Sequence, residues 1–212
     1  MKKSQSIRTF LMVVLSVLVT SFYSCSDDND ETFKGKNNFT NTNLTESDTA
    51  ALLFMLEEEK LARDTYIYLN DLWSINQFAN IQNSEQSHMN AIENQLIINN
   101  IEYTILPHGE FENQDLQELY NQFETDGAVS SANAFQIGAT IEDLDIVDLQ
   151  DYIDSTLNTT LISIFRKLQC GSRNHLRSFV TGIENIGETY TPQFLTQTDF
   201  DTIIAGTQES CN

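Results

Sequence analysis

Glu85-Gln86-Ser87-His88 lies in the middle of a segment, about Asn76 to Asn99, in which Phe78, Ile81, Met89, Ile92 and Leu96 recur at helical spacing. Residues three apart on a helix share a face, so Glu85 and His88 point the same way. That way is into the apolar stripe. A buried, unpaired carboxylate costs on the order of several kcal/mol or is forced to take up a proton. A metal ion is the best reason to keep one there. Glu142-Asp143-Leu144-Asp145 repeats the spacing with a carboxylate at each end.

Working outward, the helical period continues through three more long segments. The first runs from about Ser47 to Trp73, with Leu52, Met55, Leu56, Ala62, Tyr66, Leu69 and Trp73 in line. Glu59 sits in that stripe, while Glu57 and Glu58 are expected to point elsewhere. Thr45-Glu46-Ser47-Asp48 supplies the start, with Thr45 as N-cap and Asp48 at N3. Asp48-Thr49-Ala50 also resembles an O-glycosylation site, although capping explains it adequately.

The third long helix is expected from about Ser131 to Ser155, with Phe135, Gly138, Leu149 and Tyr152 on the face that carries Glu142 and Asp145. The fourth is expected from about Asn158 to Ile186 and puts His175 in line with Leu161, Phe165, Leu168, Phe179, Gly182 and Ile186. Pro107, His108 and Gly109 mark a long connection between the second and third, with a short amphipathic helix from about Asn113 to Glu124. No segment alternates as a strand would. The fold class is therefore all-α. The long connection is what a bundle needs if the second and third long helices lie parallel.

Glu59, Glu85, His88, Glu142, Asp145 and His175 thus fall on the inner faces of four helices. A di-iron or di-manganese bundle takes a Glu from each of two helices and Glu-x-x-His from each of the other two. One Glu-x-x-His is a weak signal, whereas six such residues on four inner faces is a stronger one. The alternative is that these groups hydrogen-bond one another and bind no metal.

The chain has 212 residues, of which 40% are hydrophobic, with only 2 Pro and 8 Gly, as suits a packed helical domain. Its 11 basic and 31 acidic residues give a net charge of −20. That balance excludes a general nucleic-acid binder and attraction to an anionic membrane surface, since both need a basic face. An acidic surface suits cation uptake but is more often plain solubility.

The amino terminus reads as a targeting segment. Lys2, Lys3 and Arg8 precede an apolar run from Phe10 to Val19 that is short for a membrane span. Phe22-Tyr23-Ser24-Cys25 resembles a bacterial lipoprotein signal, with residues 1–24 removed and lipid placed on Cys25. Ser26-Asp27-Asp28-Asn29-Asp30-Glu31 looks like the acidic export signal that sends lipoproteins to the cell surface in the Bacteroidetes. The resemblance implies an outer-membrane lipoprotein held by its lipid. The alternative is an ordinary secretory signal with a free Cys. Removing residues 1–24 leaves 8 basic against 31 acidic residues, net −23.

Residues 25–43 read as a flexible acidic tether and 44–212 as the helical domain with its tail. With Cys25 lipidated, Cys170 and Cys211 remain in an oxidising compartment, where an even pair suggests a disulfide. Two unrelated thiols are the other reading.

Glu59-Lys60-Leu61-Ala62-Arg63-Asp64-Thr65-Tyr66 is similar to the first helix of rubrerythrins, with Glu59 at the metal-ligand position and Tyr66 at a tyrosine. Glu85 and His88 match the second-helix motif, and Glu142 and Asp145 a third-helix carboxylate pair. The chain thus resembles the ferritin-like superfamily, which implies a ferritin-like four-helix bundle. More closely, residues 57–64 and Gly171-Ser172-Arg173-Asn174-His175-Leu176-Arg177 look like a ferritin-like family catalogued as a domain of unknown function, over about Leu44 to Ile204.

The resemblance implies two iron ions, with manganese or a single ion as alternatives. It also implies oxidase, peroxidase or ferroxidase chemistry on oxygen or peroxide. Tyr66 and Tyr152, near such a site, are candidates for redox chemistry, although core tyrosines more often serve packing. One departure is plain: where a ferritin carries Glu three residues before His175, this chain has Ser172. Arg173 and Arg177 flank that position and either neutralise carboxylates or face solvent. The other functional class open to the sequence is a metal-free helical interaction module on the cell surface.

Overall fold

The side chain of Thr45 accepts the Asp48 N–H at 3.0 Å, and the Asp48 carboxylate accepts the Thr45 N–H at 2.9 Å. This reciprocal capping box satisfies two otherwise orphaned donors. It opens α1, Glu46–Trp73, which stops where Ser74 turns left-handed at φ 52° and ψ 46°. The computed structural model describes residues 44–211. After α1 come α2, Asn76–Ile98; α3, Gln114–Gly127; α4, Ser131–Ser155; α5, Thr159–Asn185; and α6, Gln197–Ala205. Side-chain caps at Asn113, Ser130, Asn158 and Thr196 start α3 to α6.

There is no strand among the described residues, whose fold is all-α. The helix α6 lies in a stretch that periodicity left as tail. No helix of the described residues is long and apolar enough to cross a membrane. The leader 1–24, the lipidation site Cys25 and the tether 25–43 lie outside the described residues.

The helical bundle is built from two hairpins, α1 with α2 and α4 with α5. Contacts fix how the hairpins sit together. Asp48, Phe54 and Tyr66 of α1 meet Thr156, just past the end of α4, and Tyr152 and Glu142 within it, so those two helices run antiparallel. Phe78 and His88 of α2 meet Phe179 and Gly171 of α5, again antiparallel. Hence α2 and α4 are parallel, and the chain must travel the length of the bundle between them. Residues 99–130, with α3, make that crossing.

A single lysine pins the crossing to α1. Lys60 is buried, and its ammonium donates to Asp64 Oδ2 at 2.6 Å, to the Pro107 carbonyl at 2.9 Å and to the Glu110 carbonyl at 3.0 Å. It also lies 4.2 Å from the centre of the Phe111 ring. Asp64 in turn accepts the Gly109 N–H at 3.0 Å. Glu57 accepts the N–H groups of Glu112 and Asn113 just ahead of α3.

The tail is pinned by another acid. Asp143 is fully buried and accepts Tyr190 Oη at 2.9 Å, Gln193 N at 2.5 Å and Leu195 N at 2.7 Å. Further on, Cys170 and Cys211 are joined by a disulfide, and Arg173 and Arg177 of α5 both pair with Glu209. The two arginines therefore serve the tail and leave the core carboxylates alone.

The core is not continuous. One apolar cluster contains Tyr66, Phe78, Phe135 and Phe179, and the other Met55, Met89, Leu149 and Phe165. Between them lies a layer of charged and polar side chains.

Lys60→Met keeps the volume and leaves Asp64 paired with Arg63 and the Gly109 N–H, but it strands the Pro107 and Glu110 carbonyls. It is expected to cost about 2 kcal/mol, read as a lower urea midpoint with an unchanged slope.

Candidate metal centre

Each of the four long helices contributes to that layer. α1 brings Glu59, α2 brings Glu85 and His88, α4 brings Glu142 and Asp145, and α5 brings Ser172 and His175. Glu59, Glu85 and Glu142 are each 2% exposed or less. The helical spacing aligns Glu85 with His88, and the antiparallel pairing of α2 with α5 then sets His175 on the other side of Glu85.

His88 Nδ1 lies 2.8 Å from Glu85 Oε2 and 3.1 Å from Glu59 Oε2. His175 Nδ1 lies 2.8 Å from Glu85 Oε1 and 3.4 Å from Glu142 Oε2. The two imidazoles face each other at 5.7 Å. Two groups of convergent ligand atoms result, Glu59–Glu85–His88 and Glu85–Glu142–His175, each with its atoms within 4.8 Å of one another. Glu85 belongs to both, one oxygen to each.

Close approach here is not the same as hydrogen bonding. Glu85 Oε1 and His175 Nδ1 are only 2.8 Å apart, yet neither makes a hydrogen bond, and Glu59 Oε1 has no partner either. Buried polar atoms are normally paired. These atoms are brought together without being aimed at one another.

Tyr66 is buried beside Glu142 and donates to its Oε1 at 2.6 Å. That bond turns the other oxygen, Oε2, toward His175. Gly171 is the residue that lets α5 approach α2, because a Cβ there would sit 2.6 Å from His88 Nε2. A glycine inside a helix costs about 1 kcal/mol relative to alanine, and that cost was the available sequence signal. Asp145 stands outside both groups. Its Oδ2 accepts the Ser172 hydroxyl, and its Oδ1 is without a partner. Ser172 therefore faces the layer, opposite Asp145.

Glu58 was expected to point away from the core and does not. It is 2% exposed, because α1 is covered by α2, α3 and α4 at once. Between Met55 and Tyr66 only Glu57 and Arg63 escape burial.

The charges are strongly coupled. Burial would raise Glu85, but the His175 and His88 imidazoles overcome it and hold the carboxyl well below its ordinary range. Burial opposes protonation of the histidines, yet Glu85 and Glu142 push His175 up to about 10, and Glu59 and Glu85 raise His88 well above its usual value. Burial lifts Asp145 to about 8 against the opposing Ser172 hydrogen bond. Burial also raises Glu59 and Glu142, and it raises Tyr66 with help from the Glu142 charge. Without a cation, protons take the place that positive charge must occupy.

Residues 48–207 match the family described as an uncharacterized protein domain, DUF2202. The chain belongs to this family. It is 40% identical over 168 residues to the uncharacterized protein MJ0754 of Methanocaldococcus jannaschii, a match that covers 78% of this chain and 91% of that protein. It is also similar to the crystal structure of the hypothetical protein MJ0754 from Methanococcus jannaschii. There the TM-score is 0.77 at 37% identity, covering 84% of this chain and all of the other. The DUF2202 match takes in all of the layer residues and leaves residues 1–47 outside it.

The pH dependence of the metal-free protein follows from the raised groups. His175 is raised from 6.5 to about 10 and Asp145 from 3.8 to about 8. Each contributes stability that is complete below its unfolded value and is lost as pH rises through its folded one. Chelator-treated protein should therefore lose thermal stability between pH 7 and 10, as read by circular-dichroism melts. A melting temperature that rises over that interval would contradict the assignment.

Proposed function

We propose that the layer is a two-cation centre in a ferritin-like four-helix bundle, and that the protein is a di-iron or di-manganese oxidoreductase of the oxidase, peroxidase or ferroxidase kind. The observation that carries this reading is Glu85: it lies between two histidines, within 2.8 Å of each, with a buried oxygen that makes no hydrogen bond. The parallel α2 and α4, joined by a long crossing, support the fold assignment.

The donor set fits the metals. Carboxylate oxygens and imidazole nitrogens suit iron, manganese and zinc. Glu59 and His88 would hold one ion, Glu142 and His175 the other, with Glu85 between them. Bound iron or manganese would supply electron exchange with dioxygen or peroxide there. The chain's own part is to position and to seal. Tyr66 holds Glu142 in orientation through its hydroxyl hydrogen bond, and the aromatic cluster of Tyr66, Phe78 and Phe179 excludes water from one side. Met55, Met89 and Phe165 close the other. His88 and His175 are the partly open members, each 12% exposed, so a molecule as small as oxygen or peroxide would approach along their edge.

The amino-terminal sequence supports placing this domain on an outer membrane through lipid on Cys25. Cys25→Ala should move the protein out of the membrane fraction, and unchanged retention would point to the leader itself as the anchor.

Protein loaded anaerobically with manganese and then desalted should retain two ions per chain by metal analysis. Glu85→Gln preserves shape but removes the shared charge, and should lower affinity by at least about tenfold, or about 1.4 kcal/mol. Wild-type protein that retains no metal would refute the reading.

A further inference from the structure

Where the tail ends against α5, the two form a groove of about 480 Å³, with Thr159, Ser163, Arg166, Lys167, Cys170 and Cys211 in its wall. Both halves of the disulfide therefore line an open space. None of the described residues around it is acidic, although the chain carries a net charge of −20. Lys60, Arg63, Arg173 and Arg177 are all held in ion pairs. Arg166 and Lys167 are instead exposed and pair with none of the described residues. The groove thus offers uncommitted positive charge beside a sulfur–sulfur bond.

The tail is also fastened here without the disulfide. Arg177 and Arg173 donate to Glu209 Oε1 at 2.7 and 2.9 Å. Asn174 donates to the Glu209 carbonyl at 3.1 Å and accepts the Glu209 N–H at 2.9 Å. These bonds would keep Cys211 beside Cys170 after the sulfur bond opened, so the same pair could close again. Cys211 is half-buried, whereas Cys170 is only 7% exposed. The sulfur within reach of an incoming thiol is therefore Cys211 Sγ, which Asn174 Nδ2 holds at 3.4 Å. Arg166 and Lys167 stand one turn before Cys170 on α5. Nearby cations favour a thiolate, which makes Cys170 the better leaving group.

We propose that this groove is a thiol–disulfide exchange site for a small thiol that carries a carboxylate. The carboxylate pairs with Arg166 and Lys167, and the thiolate attacks Cys211 Sγ. The Cys170–Cys211 bond breaks, a mixed disulfide forms on Cys211, and the electron pair leaves on Cys170 as a thiolate. A second small thiolate then attacks the small-molecule sulfur of the mixed disulfide. That step releases the small-molecule disulfide and the Cys211 thiolate. Two thiols are oxidised and one protein disulfide is reduced, and the reverse sequence closes it again. The site uses none of the layer's ligands and stands whether or not the layer holds metal.

The test is opening of the disulfide in the full native chain at low salt, with mercaptoacetate and mercaptoethanol as probes. Freed thiols are alkylated and counted by mass spectrometry. Each rate is divided by the same thiol's rate on bis(hydroxyethyl) disulfide, which removes differences in intrinsic reactivity. Mercaptoacetate should then be favoured by at least about tenfold, although the net charge of the chain alone would disfavour it. Changing Arg166→Gln and Lys167→Gln together should abolish that preference. Arg166→Gln alone should lower it, and serves as the second variant should the double change impair folding. The oxidised form of mercaptoacetate should close the bond again without unfolding of the chain.

Equal normalised rates, or a preference that survives in the double variant, would overturn the site. So would a disulfide that opens only in denaturant, because Cys170–Cys211 would then be a structural tie alone.

Discussion

Charged side chains occupy the level of this bundle where aliphatic ones would normally interlock, and the burial of those charges constrains everything around them. Three glutamates and two histidines share a layer from which water is largely excluded. Isolated ions in such surroundings cost several kcal/mol each. They are tolerable only if positive and negative groups alternate at short range, as Glu59, His88, Glu85, His175 and Glu142 do. The apolar core is consequently split into two clusters, each packed well enough to hold the helices in register across the gap.

Much of the remaining sequence serves that register. Within residues 57–64, Glu57 caps the approach to α3, Glu58 and Glu59 enter the layer, and Lys60 with Asp64 ties down the crossing. Five neighbouring charged residues thus do three different tasks on different sides of one helix. Asp143 likewise stands between two layer residues, yet it faces the opposite way and fastens the tail. The disulfide and the Glu209 pairs anchor the end of that tail to α5 close to His175. Glycine at 171 completes the arrangement by letting the His88 ring rest against the α5 backbone.

Helix positions were readable because capping residues and apolar periods agree. Thr45 with Asp48, Ser130 and Asn158 start α1, α4 and α5, and the expected ends fall within a few residues of those observed. Glu85 and His88 stood out because they break an otherwise regular stripe. Glu58 was misread because a single-stripe view assumes one buried face, whereas the middle of α1 is enclosed by three helices. Asp143 and Lys60 were missed for a related reason: most of their partners are backbone groups in loops, which leave no periodic trace. The helix α6 is nine residues long, and so short a segment offers little period to detect.

The most direct test is anomalous diffraction from a crystal of the protein grown with manganese or iron under anaerobic conditions. Two peaks roughly 3.5–4 Å apart, with Glu85 bound to both, Glu59 and His88 on one and Glu142 and His175 on the other, are the expected result. A fully loaded crystal with no peak in this layer, and with the histidines still turned toward Glu85, would contradict it. The layer would then be a self-neutralising ion network.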